Sequence, residues 1–248
     1  MSTSQIHYNQ LLGPVYTWMA GGLEFAVDRN RQQLASLGLA TWPLGLAVDL
    51  GCGSGFQSLP LADAGYRVLS LDLCELLLAE LRANSGNRAI RPVCDDLANF
   101  PNHLDVAPQL IVCMGDTLTH LPSLESVIQL VRDSARTLAS GGRLVLGFRD
   151  LATHELIGPQ RFIPVRSDAD RLFTCFLDYH ADHVEVHDLL HIRTNDQWRF
   201  TSSSYRKLRI SGPQLCRYLI EAGFGLDHHT SEQGLVRIVA QKPADSPP

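Results

Sequence analysis

Short apolar runs alternate with longer amphipathic stretches between residues 44 and 148. This alternation is typical of βαβ units, which build a parallel sheet. Between two of the runs, apolar residues spaced three and four apart from Leu124 to Leu138 predict a helix, with Ser123 as its cap and glycines at 141 and 142 as its stop. We predict strands near residues 44–50, 67–71, 89–94, 110–114 and 143–148.

The pattern changes after Arg149. Residues 161–210 are rich in β-branched and aromatic side chains, alternate in places and show no long helical period, which predicts antiparallel strands inserted into the core. The stretch SGPQLCRYLIEAGF then predicts a helix capped by Ser211 and ended by Gly223. A last strand is predicted at Leu235–Gln241, and the tail ADSPP is expected to be frayed.

The N-terminal stretch also has apolar residues at helical spacing, ahead of the first core strand. Helices in this position would cover the carboxyl edge of the sheet. Tyr8, Tyr16 and Trp18 are therefore candidates for a lid over a site, and plain packing of these aromatic rings is the alternative.

Composition and charge restrict the function. The chain has 248 residues, of which 45% are hydrophobic and 19% charged, and no apolar run approaches the roughly 18 residues of a membrane span. The start MSTSQIHYNQ lacks the features of a secretory signal, so we expect a cytoplasmic protein. A net charge of −5 favours a small-molecule partner over nucleic acid. The six cysteines form no CxxC pair, which indicates reduced thiols rather than disulfides or zinc ligands.

The segment AVDLGCGSGF places Gly51, Gly53 and Gly55 directly after the first strand. Ligands of open parallel sheets bind beyond the carboxyl ends of the strands, and glycine lets a ligand approach the backbone. Asp49 lies at the strand end, where a carboxylate is costly to bury unless it bonds to loop amides or faces a cationic ligand. A purely structural Asp49 that fixes the loop is the alternative.

A second acid sharpens the interpretation. The second strand, GYRVLSLD, ends in Asp72, about 20 residues beyond the loop, where a carboxylate can accept both ribose hydroxyls of a nucleotide-like cofactor. The glycines follow GxGxG with an acid two residues before the first, whereas a dinucleotide fingerprint is GxGxxG. No pyrophosphate is therefore indicated.

These motifs resemble those of the class I S-adenosylmethionine-dependent methyltransferases: VDLGCGSG is similar to their first motif and LDL at 71–73 to their second-strand acid. The resemblance covers roughly residues 35–150 and 211–242. It implies a Rossmann-like doubly wound, mostly parallel seven-stranded α/β sheet in a single domain. Its parts would be a helical lid (1–34), a cofactor-binding core (35–148), an inserted β-rich substrate region (149–210) and the end of the core (211–242).

The resemblance also implies site residues. The backbone around Gly51, Cys52 and Gly53 would support the methionine part of S-adenosylmethionine, and Asp72 with Leu73 the ribose. In VCDDLANFP, either Asp95 or Asp96 would meet the adenine amino group; the trailing FP favours Asp96, with Leu97 packing on the ring. In VCMGDTLTHL, the residues expected to line the methionine part and the methyl acceptor are Met114, Gly115, Asp116 and His120. The (N/D)PP(Y/F) element of enzymes that methylate amino groups of nucleic-acid bases is absent there.

Methyl transfer requires in-line approach of the acceptor, and a general base only if the acceptor is an alcohol. Asp116, His120 and Tyr16 are the candidate catalytic residues; for His120 the alternative is a helix residue bonded to backbone. Tyr8 and Tyr16 are also counted as cofactor contacts.

The insertion is expected to supply substrate contacts. Tyr205 and Arg206 would point to opposite faces of a strand, and we choose Tyr205 as the inward one. Arg149 and Arg166 are candidate anion contacts, with ordinary surface charges as the alternative. His183, Glu185 and His187 would share a strand face, but a solvated face is favoured over a metal site, and no metal is expected.

The sequence thus predicts an S-adenosylmethionine-dependent methyltransferase that acts on oxygen or nitrogen of a small molecule, as a monomer or homodimer without nucleic-acid or membrane partners. One alternative is an NAD-dependent oxidoreductase, which the loop spacing disfavours. The other is a non-catalytic adenosyl-cofactor-binding module that acts through a partner protein.

Overall fold

The computed structural model describes residues 3–153 and 155–245. Eleven strands form two sheets in the described part of the chain. The strands are β1 (Leu46–Leu50), β2 (Arg67–Asp72), β3 (Ile90–Cys94), β4 (Leu110–Cys113), β5 (Arg143–Arg149), β6 (Phe162–Ser167), β7 (Arg171–Tyr179), β8 (His183–Thr194), β9 (Gln197–Leu208), β10 (Gly225–Glu232) and β11 (Leu235–Gln241).

Helices cover both faces of the larger sheet and its carboxyl edge. They are α1 (Thr3–His7), α2 (Tyr16–Met19), α3 (Leu23–Ser36), α4 (Ser58–Asp63), α5 (Glu75–Ser85), α6 (Leu124–Thr137) and α7 (Gly212–Glu221). A π-helical turn (Tyr8–Leu12) continues α1, and 3-10 turns lie at Gly13–Val15, Leu39–Thr41, Leu97–His103, Thr117–His120 and Gly158–Arg161.

The larger sheet has the strand order β3-β2-β1-β4-β5-β11-β10. Strands β1 to β5 pair in parallel, and β11 runs antiparallel to β5. The predicted doubly wound, mostly parallel seven-stranded sheet is confirmed. Its first strand begins at Leu46 rather than at residue 44. The pattern located six of the seven strands, because the edge strand β10, GLDHHTSE, is polar and mostly exposed.

Alternation along β1 divides the core into two layers. Leu46, Val48 and Leu50 are buried in the cluster that includes residues of α6 and α7. Ala47 faces the other layer, with Leu34 of α3. Because both faces of this strand are covered, all five of its residues are buried. This burial explains why the strand is mostly apolar and why a carboxylate at position 49 is costly.

The inserted strands form a separate antiparallel sheet in the order β6-β7-β8-β9, as the alternation of apolar and polar residues in 161–210 predicts. The N-terminal helices pack on this sheet as well as on the core: Leu11 and Leu12 share a cluster with Phe173 and Leu190. Trp18 takes part in this packing and donates a hydrogen bond from Nε1 to Asp168 at 2.7 Å. The lid and the insertion therefore form one continuous cover.

Two further features concern the whole described chain. Within residues 3–153 and 155–245, every helix is too short or too polar to cross a membrane. All six cysteines are free thiols. In the tail ADSPP, the Asp245 amide donates to Ser140 Oγ at 2.6 Å, and residues 246–248 lie outside the described part, so the expected fraying there stays a prediction.

Candidate active site

The glycine loop after β1 is shaped by close packing as well as by its open face. The amides of Gly51 and Cys52 donate to the Leu71 carbonyl at 2.8 and 2.9 Å. Gly51 has φ of +73°, and a Cβ there would lie 2.2 Å from Cγ2 of Thr117. Any side chain at position 51 would collide with Thr117 of the segment after β4, so glycine is required there for packing as well as for the turn. The motif alone does not reveal this packing constraint.

Asp72 ends β2 and joins it to the loop. Its Oδ2 accepts from the Gly53 amide at 2.8 Å, and its Oδ1 accepts from the Cys74 amide at 2.8 Å. The side chain lines a cavity of about 410 Å³, together with Gly51 and Gly53. Burial raises the pKa of this carboxyl, while the hydrogen bonds from the Cys74 and Gly53 amides oppose the rise. Asp72 is therefore a pre-positioned acceptor in the cavity.

Asp49 is placed differently from the expectation. Its carboxyl accepts a hydrogen bond from Ser58 Oγ at 2.6 Å at the start of α4, and Ser58 Oγ lies 2.8 Å from Ser70 Oγ. Asp49 is only 1% exposed and lines neither this cavity nor a smaller one of about 230 Å³ beside it. Burial raises its pKa to about 7. The structural alternative fits this geometry: Asp49 fixes the strand-to-helix connection through Ser58 rather than through the loop amides.

The other end of the cavity holds the acids after β3. Asp95 Oδ1 accepts from the Asp96 amide and from Asn99, and its Oδ2 lies 2.7 Å from His103 Nε2. Asp96 caps the 3-10 turn that follows, with Oδ1 accepting from the Ala98 amide, and its Oδ2 makes no hydrogen bond within the described chain. Both acids line the cavity, and Asp96 is the one with a free oxygen.

Leu73 and Leu97 also line this cavity. Leu73 is 37% exposed and follows Asp72 directly, and Leu97 is half-buried. Cys52 faces away: its side chain is buried among apolar residues that include Val27 and Leu59, and it can offer a ligand only backbone atoms. Met114 is likewise buried, with its side chain against Gly147.

Two tyrosines of the lid close the cavity over the loop. The Tyr16 ring stacks on Phe56 with centroids 5.4 Å apart, and its Cε1 lies 3.1 Å from the place of a Cβ on Gly53. The Tyr8 ring centroid lies 6.1 Å from that of Tyr16 and 5.7 Å from that of His120. Burial raises the pKa of both phenols, so they are protonated donors at neutral pH.

A second cavity of about 230 Å³ adjoins the first and shares Tyr8, Tyr16, Gly115, His120 and Lys207 with it. Its further walls come from the lid and from the inner face of the inserted sheet. The predicted residues Asp116, Arg149 and Tyr205 all line it. Arg166 does not line either cavity; it is exposed, with its guanidinium carbon 5.9 Å from the Trp18 ring.

Asp116 lies at the mouth of this second cavity with φ of +74°. Its Oδ1 accepts from the Arg149 amide at 2.6 Å, and its Oδ2 from Lys207 Nζ at 2.9 Å. Burial raises the pKa of Asp116, but the charge and hydrogen bond of Lys207 together with Arg149 lower it to about 2. These contacts hold Asp116 in its unusual backbone conformation as an ionised, fully engaged carboxylate.

Lys207 is the residue that sequence reasoning missed. It lies two positions after Tyr205 on β9, so alternation turns both side chains toward the core. The same alternation sends Arg206 outward, where it is exposed at the edge of the first cavity. Because side chains two positions apart on a strand share a face, an inward Tyr205 implies an inward Lys207. This alternation is the sequence signal that could have identified Lys207.

His120 lies where the two cavities meet. Its ring stacks on Tyr205 at 5.1 Å, and Tyr205 lies 4.4 Å from the ring of His7. His120 Nδ1 is buried without a hydrogen-bond partner in the described chain, so the backbone-bonded alternative finds no support at this atom. Burial, with the charge of Lys207, lowers the pKa of His120 to about 3. The imidazole is therefore neutral.

A buried polar cluster lies behind Tyr205. His7 Nε2 of the lid is 2.9 Å from Asp188 Oδ2 of β8, and both side chains are almost fully buried. Cys175 Sγ donates to the other Asp188 oxygen at 2.8 Å. These contacts join the lid to the insertion, with one Asp188 oxygen accepting from the Cys175 thiol and the other within ion-pair distance of His7. No pattern in the sequence indicates this cluster, because its members come from distant segments of the chain.

The face of β8 considered as an alternative metal site has side chains that pair with neighbouring residues. His183 Nδ1 lies 2.7 Å from Asp182, and Glu185 accepts from Ser204 Oγ at 2.7 Å. Among residues 3–153 and 155–245, no group of three His, Cys, Asp or Glu side chains is arranged to hold a metal ion.

Comparisons with known proteins agree with this architecture. Residues 47–142 match the family model described as a methyltransferase domain. The structure of an S-adenosylmethionine-dependent methyltransferase from Clostridium acetobutylicum ATCC 824 superposes with a TM-score of 0.71, covering 97% of this chain and 98% of that one at 13% identity. Residues 47–142 are thus similar to a methyltransferase domain, and the chain shares the fold of an S-adenosylmethionine-dependent methyltransferase.

Similarity to curated proteins is more local. Glycine N-methyltransferase of Oryctolagus cuniculus is 28% identical over 133 residues, which are 44% of this chain and 45% of that protein. Cypemycin N-terminal methyltransferase of a Streptomyces species is 29% identical over 135 residues, 50% of this chain and 54% of that protein. The chain thus spans about half the length of the curated relatives that it matches.

Proposed function

We propose that the protein is an enzyme that transfers a methyl group from S-adenosylmethionine to oxygen or nitrogen of a small-molecule acceptor. The observation that carries the proposal is the position of Asp72 at the end of β2, beside the Gly51–Gly53 backbone in the first cavity. A carboxylate there suits the ribose hydroxyls, and the glycine backbone suits the methionine part. The free oxygen of Asp96 suits the adenine amino group, with Leu97 against the ring.

The second cavity would hold the acceptor. It meets the first at Tyr8, Tyr16 and His120, so an acceptor there would approach the bound cofactor from the side of the lid. Bound S-adenosylmethionine supplies a reactive methyl group on a sulfonium that is its own leaving group. The residues of this chain would align the acceptor and exclude water.

Nitrogen is favoured over oxygen as the acceptor atom. Both oxygens of Asp116 are engaged, and its pKa of about 2 makes it a weak base. His120 is neutral with a pKa of about 3, so it can accept a hydrogen bond from the acceptor but is also a weak base. An amine attacks through its own lone pair and needs no strong base, whereas an alcohol does. The names of the two curated relatives describe methylation of amino groups.

Incubation of the purified protein with methyl-labelled S-adenosylmethionine tests the proposal. A panel of small primary and secondary amines, carboxylic acids and alcohols should give label in a product from at least one amine, with an equal amount of S-adenosylhomocysteine. Cofactor binding without transfer to any member would contradict the enzymatic assignment and favour a binding module. The expected monomer or homodimer and the lack of a nucleic-acid or membrane partner stay predictions.

A further inference from the structure

The polar end of the second cavity carries unequal charges. Asp116 is the one carboxylate there between two cations, Lys207 and Arg149. The Lys207 ammonium donates to Asp116, whereas Arg149 Nε lies 3.9 Å from Asp116 Oδ2, beyond hydrogen-bond distance. The guanidinium of Arg149 makes no hydrogen bond within the described chain, and its side chain is half exposed. One positive charge and a planar fork of donors are therefore available to a ligand.

The other acid of this cavity, Asp188, makes no ion pair with Arg149 or Lys207 within the described chain. Asp188 is held by the Cys175 thiol and by His7, which lies 2.9 Å away. The inserted sheet also contributes apolar side chains to the lining of this cavity: Ile163, Phe173, Leu177 and Val186. The cavity thus joins a cationic end to an apolar body, and its volume of about 230 Å³ limits the ligand part it encloses to a compact group.

From this juxtaposition we propose that the methyl acceptor is an amine that also carries a carboxylate and a compact apolar group, and that this carboxylate binds the guanidinium of Arg149 beside Lys207. The proposal rests on the proposed function, because it names the acceptor of that same reaction. Guanidinium and carboxylate match in two parallel hydrogen bonds, and the ammonium of Lys207 adds attraction from inside the cavity. A neutral acceptor of the same shape leaves the Arg149 fork without this partner.

The test measures binding of matched probes to the full chain saturated with S-adenosylhomocysteine. The probes are benzoate, phenylacetate, 3-phenylpropionate and 4-phenylbutyrate, each compared with its own amide by calorimetric titration. At least one acid should bind ten times more tightly than its amide. Arg149→Gln should remove that advantage, so that each acid and its amide bind with similar affinity. The matched control is Arg199→Gln, which changes an exposed arginine near the start of β9 that lines neither cavity. This variant should retain the preference for the acid.

Two results would overturn the inference. One is that no acid binds the S-adenosylhomocysteine complex more tightly than its amide. The other is that the preference survives in Arg149→Gln. Binding of S-adenosylhomocysteine itself is measured first and separately. If that ligand binds while the acid preference is missing, the acceptor class is wrong and the proposed methyltransferase stands. If S-adenosylhomocysteine fails to bind the folded protein, the proposed function fails, and the acceptor class fails with it.

Discussion

The Asp72 carboxylate accepts a hydrogen bond from the Gly53 amide at 2.8 Å, which joins the end of β2 to the loop after β1. The two residues that would hold neighbouring parts of the cofactor, the ribose and the methionine, are thus already in contact. This contact fixes the position of the carboxylate before any ligand arrives, so little ordering would be required on binding.

Asp72→Ala should weaken binding of S-adenosylhomocysteine by about 1 to 3 kcal/mol, because the ribose hydroxyls lose their buried acceptor. Calorimetric titration measures the loss directly. Asp105→Ala removes an exposed acid that pairs with Arg67 on the surface and should leave the affinity unchanged. Unchanged affinity in a folded Asp72→Ala protein would remove the assignment of the ribose site.

Gly51→Ala should lower the free energy of unfolding by about 2 to 5 kcal/mol. A Cβ at this position meets Thr117 at 2.2 Å, and the positive φ alone costs an alanine about 1 to 2 kcal/mol. The matched control is Gly234→Ala, where φ is +77° but no atom lies within 4 Å of the added Cβ. Urea denaturation of both variants gives the comparison, and equal losses would show that the contact with Thr117 is unimportant.

Lys207 and Asp116 should be energetically coupled by about 1 to 3 kcal/mol. The pair is largely buried, so that removing one partner leaves the other charge without compensation. A double-mutant cycle with Lys207→Met and Asp116→Asn measures the coupling from the free energies of unfolding. The exposed pair Arg67 and Asp105 provides the reference cycle, for which a coupling below about 1 kcal/mol is expected. Coupling no larger than in that reference pair would contradict the description of the buried pair.

Asp49 should make the ligand-free protein less stable as the pH rises. Its pKa is about 7 in the folded state and near 3.8 when unfolded, so between these values the folded state binds more protons. The free energy of unfolding therefore falls as pH increases through this window, by about 1.4 kcal/mol per unit, and levels off above pH 7. Asp49→Asn lacks this titration and should gain about 2 to 3 kcal/mol relative to the wild type between pH 5 and pH 8.

Denaturation profiles at several pH values measure this difference. Asp105→Asn serves as the control, because that exposed acid has a pKa lowered by Arg67 and is ionised throughout the same range. Parallel profiles for the wild type and Asp49→Asn would contradict the buried, protonatable Asp49.

Local signals in the sequence were sufficient for the core. The helix predicted from Leu124 is observed at Leu124–Thr137, with Ser123 Oγ accepting from the Ser126 amide as a cap. Strands β1, β2, β4 and β5 were located because they are mostly buried and consist largely of apolar residues, whereas β3 at the sheet edge is only partly buried. Asp72 and the glycines were recognisable since their spacing along the chain fixes their geometry at the sheet edge.

Contacts between distant segments could not be read in the same way. Lys207 and Asp116 are 91 residues apart, and their contact depends on how the inserted sheet lies over the core. His7 and Asp188 meet for the same reason, across the lid and the insertion. Such pairs follow from tertiary packing. The alternation along one strand shows which of its side chains point inward, but not which residues they contact. Asp49 was partly misjudged because its partner Ser58 lies at the start of a helix, beyond the motif.

The proposed function depends on binding of an adenosyl cofactor in the first cavity. Parallel calorimetric titrations of the purified protein with S-adenosylmethionine, S-adenosylhomocysteine and NADH test it most directly. The structure predicts micromolar binding of both adenosyl ligands and none of NADH. Failure of both adenosyl ligands to bind the folded protein, or binding of NADH in their place, would contradict the account.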